Sequence, residues 1–150
     1  MRPVVVEVLP LRGTGGDVAF RRRAGLLRDR EDPDAAARRL VPGVTPATLL
    51  HSTSWRTDGD RLVLTYAVAP DPQPWHAAVP LRGTRLAHGP RPDRPSPEAP
   101  THAEVAAHAA RHLAFLLTRD EQARAALAAD TALTAALAAC SPEPAGRVPA

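Results

Sequence analysis

Residues 89 to 100 read GPRPDRPSPEAP, and no helix or central strand tolerates that density of proline, because each ring fixes φ and removes an N–H donor. The stretch is read as an extended linker. It separates two kinds of pattern: before it, short β-branched runs alternate with turn residues, and after it alanine and leucine recur at helical spacing. The expected organisation is a mixed-sheet core over residues 1–88, the linker at 89–100, C-terminal helices over 101–139 packed on that core, and a flexible tail over 140–150. A chain of 150 residues is long enough for one domain with its own core. The expected fold class is α+β, a mixed β-sheet with hairpins, one short helix after the second strand, and C-terminal amphipathic helices.

Within the first half, PVVVEVL (3–9) reads as a strand that Pro10 ends, GTGG (13–16) as a turn, and DVAFRRR (17–23) as a second strand. Asp32 is placed as an N-cap, with Pro33 at the first helical position and Asp34 in the first turn. The helix continues through AAARRL until Pro42 and Gly43 stop it. Its two turns require packing to be stable. Asp58-Gly59 predicts a two-residue hairpin loop that pairs Thr57 with Asp60, Trp55 with Leu62, Thr53 with Leu64 and His51 with Tyr66. Alternation then turns Leu49, His51, Thr53, Trp55, Leu62, Leu64, Tyr66 and Val68 inward, and Ser52, Ser54, Arg56, Arg61 and Thr65 outward. WHAAVPL and TRLAH read as further short strands. THAE (101–104) is a capping box opening a helix over 101–118, and a second helical stretch over 120–139 breaks near Asp130.

Composition excludes several classes. The pI is near 10.3, yet the formal net charge is only +3. The basic residues are all arginine, and lysine, isoleucine and asparagine are absent, the bias of a GC-rich bacterial, actinobacterial-type genome. Arginines scattered among acids, with few aromatics to stack on bases, argue against nucleic acid as a partner. No run of about 18 apolar residues is present to span a membrane, and MRPVVVEVLP is too short and proline-limited for a signal peptide, so a cytoplasmic location is expected. The single Cys140 cannot form an internal disulfide and has no basic neighbour in sequence until Arg147. His51 and Ser52 are adjacent on a strand and so point to opposite faces, which rules them out as a base and nucleophile pair. His51 is read instead as a half-buried strand residue against Tyr66. His108 and His112, four apart on a helix, supply two metal ligands and lack a third. No metal and no cofactor are expected.

The stretch FRRRAGLLRDREDPDAAARRL, followed by PGV and a hairpin, resembles the Nudix hydrolase superfamily, whose signature is G-x5-E-x7-R-E-U-x-E-E-x-G-U, with U aliphatic. Gly25 and Glu31 stand at the first spacing, EDPDAAARRL is similar to the family's E-x-P-x-x-A-A-x-R-E-L shortened by one residue, and Gly43-Val44 match its closing pair. The resemblance covers residues 3–70 and implies an α/β/α sandwich and magnesium-assisted hydrolysis of diphosphates. It departs where the family's metal-binding carboxylates belong, since those positions hold Arg39, Leu40, Val41 and Pro42. A diphosphate hydrolase needs several carboxylates converging on its cation, so no catalytic residue is assigned. The reading is a non-catalytic Nudix-like domain that binds a small ligand, a phosphorylated one included, or a partner. Arg21, Arg23, Glu31, Arg38, Arg39 and His51 are its candidate ligand-binding residues. Two alternatives stand beside it: an active magnesium-dependent diphosphate hydrolase with displaced carboxylates, and a small protein-interaction module using the C-terminal helices.

Overall fold

The computed structural model describes residues 2–81, 101–140, 142 and 146–147. The linker expected at 89–100 and the strand expected at TRLAH lie outside these residues. The fold is α+β, with a mixed sheet and helices on both of its faces. Strand β1 (Val4–Thr14) runs through the middle of the sheet. It pairs on one side with β2 (Asp17–Phe20) and β3 (Arg23–Leu26), both antiparallel, and on the other with β5 (Arg61–Ala69), parallel. β4 (Leu49–Asp58) lies outside β5, β6 (Val79–Leu81) outside β2, and β7 (Gly146–Arg147) pairs in parallel with β4. The sheet order is β6-β2-β1-β5-β4-β7, with β3 also on β1.

Pro10 does not end β1, contrary to the sequence expectation; its effect appears in the neighbouring strand. β2 and β3 keep one continuous register against β1, from Leu11 opposite Phe20 to Val8 opposite Arg23. Arg21 N–H donates to the Pro10 carbonyl at 3.2 Å. An antiparallel pair of this kind normally exchanges two bonds. Proline cannot return the second, so the arm opposite is interrupted at Arg21-Arg22. The expected second strand, DVAFRRR, is therefore β2 plus the start of β3.

Helix α1 (Pro33–Leu40) has Asp32 at its N-cap position and Pro33 at its first turn, as expected, although the Asp32 side chain makes no capping bond. It covers one face of the sheet, where Val6, Val8, Tyr66 and Val68 meet Ala36, Ala37 and Val41. Gly25 of β3 lies under this helix: a Cβ there would stand 3.0 Å from a Leu40 methyl. The opposite face carries Leu9, Leu11, Phe20, Ala67 and Ala69 against α2 (His102–Leu117), α3 (Glu121–Leu127) and α4 (Thr131–Ala138). The capping box at Thr101 and Glu104 forms as expected. The expected break near Asp130 is the N-cap of α4, with the carboxylate accepting from Leu133 N–H at 2.9 Å. No helix among the described residues is long and apolar enough to cross a membrane.

Expectations at the β4–β5 hairpin and at the C-terminus are corrected. The loop is Gly59-Asp60, closed by Asp58 opposite Arg61, because Gly59 with φ 62° takes the first central position, where a glycine meets no Cβ penalty. Trp55 consequently pairs with Leu64. A bulge between Ser52 and Ser54 then exchanges the faces along β4, so His51 stands opposite Ala67 and Ser52 opposite Tyr66. Trp55 is 41% exposed, while Ser54, Arg56, Val63 and Thr65 are buried, the reverse of the expected orientation. From Ser54 to Asp58 the expected alternation holds, on the other side of the bulge it inverts, and both faces of the sheet are covered. Finally, Cys140, expected in a flexible tail, is buried, and Gly146–Arg147 is a strand.

α4 approaches the sheet closely at Gly13, where an added Cβ would collide with the backbone of Ala132 and Leu133. Backbone cannot yield as a side-chain end can. Gly13→Ala is expected to cost about 3 kcal/mol, read as a lower urea midpoint, and to release α4 first in amide hydrogen exchange. A variant as stable as wild type would show that this approach is not tight.

Candidate functional site

The sequence-derived candidates do not converge on one place. On the α1 face, the Glu31 carboxylate accepts from Arg39 Nε and Nη2 at 2.8 Å each and from Arg28 N–H at 3.0 Å. The Arg39 side chain first, and then the Arg28 backbone, hold its pKa at about 2, well below the usual carboxylate range. Asp34 accepts from the Tyr66 hydroxyl at 2.7 Å, and burial together with that bond pushes the phenol upward. Glu31, in the loop before α1, and Asp34, in its first turn, are thus both engaged by neighbouring side chains. Among the described residues no group of three or more His, Cys, Asp or Glu is placed to hold a metal ion. Arg23 and Arg38 are exposed; Arg23 lies opposite Val8 and so shares the α1 face.

Arg21 is engaged elsewhere, in a cluster that pins the chain after β5. Asp71 accepts from Arg21 Nε at 2.9 Å and Nη2 at 2.8 Å, and from Gln73 N–H at 2.9 Å, and it pairs with Arg12 at 3.4 Å. Burial opposes the charge on Asp71, but Arg21 and the Gln73 amide outweigh it and lower its pKa. Arg12 also donates to the carbonyls of Pro74 and His76, both at 2.7 Å, fixing the loop on either side of the exposed Trp75.

His51 lies on the helical face, away from α1. Its Nδ1 is 2.9 Å from the Ser52 carbonyl oxygen and 3.1 Å from His112 Nε2. Its partner is therefore His112 of α2, in place of the expected Tyr66. His108 Nε2 approaches the Thr53 carbonyl at 3.3 Å, so His108 and His112 of α2 both contact β4 at its bulge. Cys140 is buried, which raises its thiol pKa against a smaller opposite effect of Arg111, and its sulfur donates to the Ala136 carbonyl at 3.6 Å.

These histidines belong to a polar seam on the helical side of the sheet that sequence reasoning missed. Glu7, Thr53, Ser54, Arg56, Thr65, His108, Arg111 and His112 are all buried. At its centre is Glu7, fully buried in the middle of β1. Its carboxylate accepts from Arg56 at 2.9 and 3.2 Å, from the Thr65 hydroxyl at 2.8 Å, and from Arg22 Nε. Burial by itself would raise the Glu7 pKa, but the Arg56 and Arg22 hydrogen bonds outweigh it and bring the value to about 2. Glu7 follows Val4-Val5-Val6 and precedes Val8-Leu9, and a lone acid inside such an apolar run was the available signal. Arg56 could not be found this way, since alternation alone assigned it to solvent.

Comparison of the chain with protein-family models, curated proteins and solved structures finds no match.

Glu7 makes stability depend on acid. Its folded pKa of about 2 lies below its ordinary value of 4.5. The stabilisation is therefore present above pH 4.5 and is lost as pH falls toward 2, by about 3 kcal/mol from linkage. Glu7→Gln is expected to remove this part of the acid limb in urea unfolding from pH 6 to pH 2.5. It should also destabilise at pH 7 by about 3–5 kcal/mol, because Arg56 then loses its buried counter-charge. An unchanged acid limb would show that Glu7 is not the group responsible. Zinc titration is expected to give no submicromolar site, since His51 and His112 meet without a third ligand among the described residues; stoichiometric zinc binding lost in His112→Ala would contradict this.

Proposed function

We propose that this chain is a non-catalytic, degenerate Nudix-like domain that binds a small anionic ligand, a phosphorylated one included, on its α1 face. One observation carries the reading: Glu31, the acid at the family-like spacing, is held at two points by Arg39. A carboxylate closed by a guanidinium is a poor ligand for a divalent cation, and the end of α1 adds Arg38 where metal-assisted attack on a diphosphate would require negative charge. Arg23 and Arg38 are exposed on that face, and guanidinium groups suit phosphate oxygens through two-point hydrogen bonding. The order of elements, strand, hairpin arm, short helix and second hairpin, supports the family resemblance.

A second reading, a protein-interaction module using the C-terminal helices, is favoured by a half-open groove of about 490 Å³ among α2, α3 and α4. Ala114, Leu117, Leu137 and Ala138 give it an apolar lining, to which Arg124 adds a charge.

The test supplies wild type and Glu31→Gln with magnesium or manganese and nucleoside diphosphate-linked compounds, and follows phosphate release. Both are expected to match buffer. Turnover by wild type that Glu31→Gln abolishes would make the displaced-carboxylate enzyme correct. Calorimetry with inorganic pyrophosphate should show binding that weakens several-fold in the Arg23→Gln, Arg38→Gln double variant. Equal binding by that variant, or none by wild type, would remove the anion site.

A further inference from the structure

The outer edge of β4 carries two features that nothing on the α1 face explains. First, β4 is ten residues long, yet among the described residues its outer edge is paired only at Ser54 and Trp55, with Gly146 and Arg147 of β7. An edge strand with open N–H and C=O groups is a template for a further strand. Second, Ser54 is 5% exposed and its hydroxyl makes no hydrogen bond. Among the described residues it is the only buried side-chain polar atom in that state. A buried hydroxyl without a partner costs about 1–3 kcal/mol, so its persistence calls for a group that is not supplied here.

The two features coincide. Ser54 is the residue opposite Gly146, and paired residues on adjacent strands project to the same face. Glycine has no side chain, so the strand that occupies the edge cannot satisfy the hydroxyl beside it. We infer that the outer edge of β4 is a strand-acceptor site for an extended peptide segment of a partner protein, bound parallel to β4. Such a segment carries serine, threonine or asparagine at the position opposite Ser54. Gly146–Arg147 is the internal occupant, and it shows the parallel geometry that the site accepts. Main-chain bonds along β4 supply affinity, as in β-strand addition generally, and the Ser54 hydroxyl selects the side chain. An acidic residue fits less well, because Arg56 on the same face already has Glu7 as its counter-charge. This site is on the opposite edge of β5 from β1 and does not depend on the anion-binding reading.

The experiment uses the full chain carrying Gly146→Pro, which removes a main-chain donor from the internal strand and leaves the edge available. The probes are two fluorescein-labelled peptides, PEPAGRVPA, the chain's own residues 142–150, and the same peptide with serine in place of its glycine. By fluorescence anisotropy, the serine peptide is expected to bind at least ten-fold tighter than the glycine peptide. Adding Ser54→Ala should abolish that preference while leaving the glycine peptide's affinity unchanged. In the otherwise wild-type chain, Gly146→Ser should raise Tm, and should not do so in a Ser54→Ala background. Failure of both peptides to bind the Gly146→Pro chain, equal affinity for the two, or a preference that survives Ser54→Ala would each overturn the proposal. Circular dichroism that matches wild type keeps these outcomes separate from misfolding.

Discussion

One carboxylate in the middle of β1 determines how the sheet can be assembled. Glu7 is fully buried, and a charge taken out of water is tolerable only with close counter-charge and filled hydrogen bonds. Arg56 arrives from β4, Thr65 from β5, and Arg22 from the interruption between β2 and β3. Three separate segments must therefore be in register with β1 before Glu7 is satisfied. A slip of β4 by one residue would turn Arg56 to the other face and take from Glu7 one of its two arginines. The parallel contact of β1 with β5, which has no short turn to specify it, gains its alignment from Glu7 lying directly beside Thr65.

The same logic of charge satisfied locally runs through the rest of the molecule. Asp71 holds two arginines and anchors the chain between β5 and β6. Glu31 holds Arg39 and ties the loop before α1 to the end of that helix. In a chain whose basic residues are all arginine, a planar fork of donors suits carboxylates at two points, so acids tend to be closed by their neighbours. That habit supports the non-catalytic reading of the α1 face, where an open set of acids would be needed for metal-assisted chemistry.

The helices were legible from sequence because their signals are local. Asp32-Pro33, Thr101 with Glu104, and Asp130 act within one turn of chain, and each begins or breaks a helix where expected. The hairpin was only partly legible. Alternation sorted Trp55 with Leu64 and Ser54 with Thr65, but the bulge near Thr53 and the choice of Gly59-Asp60 as the loop depend on which strands press against each face. The candidate site was less legible still. Arg21, Glu31, Arg39 and His51 are all present, and the fold distributes them among an Asp71 cluster, an Arg39 pair and a contact with His112.

By itself the sequence determined the α+β class, the short helix between two strand-rich segments, and the helices between Thr101 and Ala139, because proline, glycine, capping residues and periodicity act over a few residues. Only the tertiary structure decided that β1 continues past Pro10, that β5 lies parallel to β1, and that both sheet faces are covered. It also decided that Glu7, Ser54 and Arg56 become interior residues. The reason is that burial belongs to a pair of surfaces: whether a polar side chain on a strand faces water or a buried partner depends on segments distant in the chain, and local pattern carries no record of them.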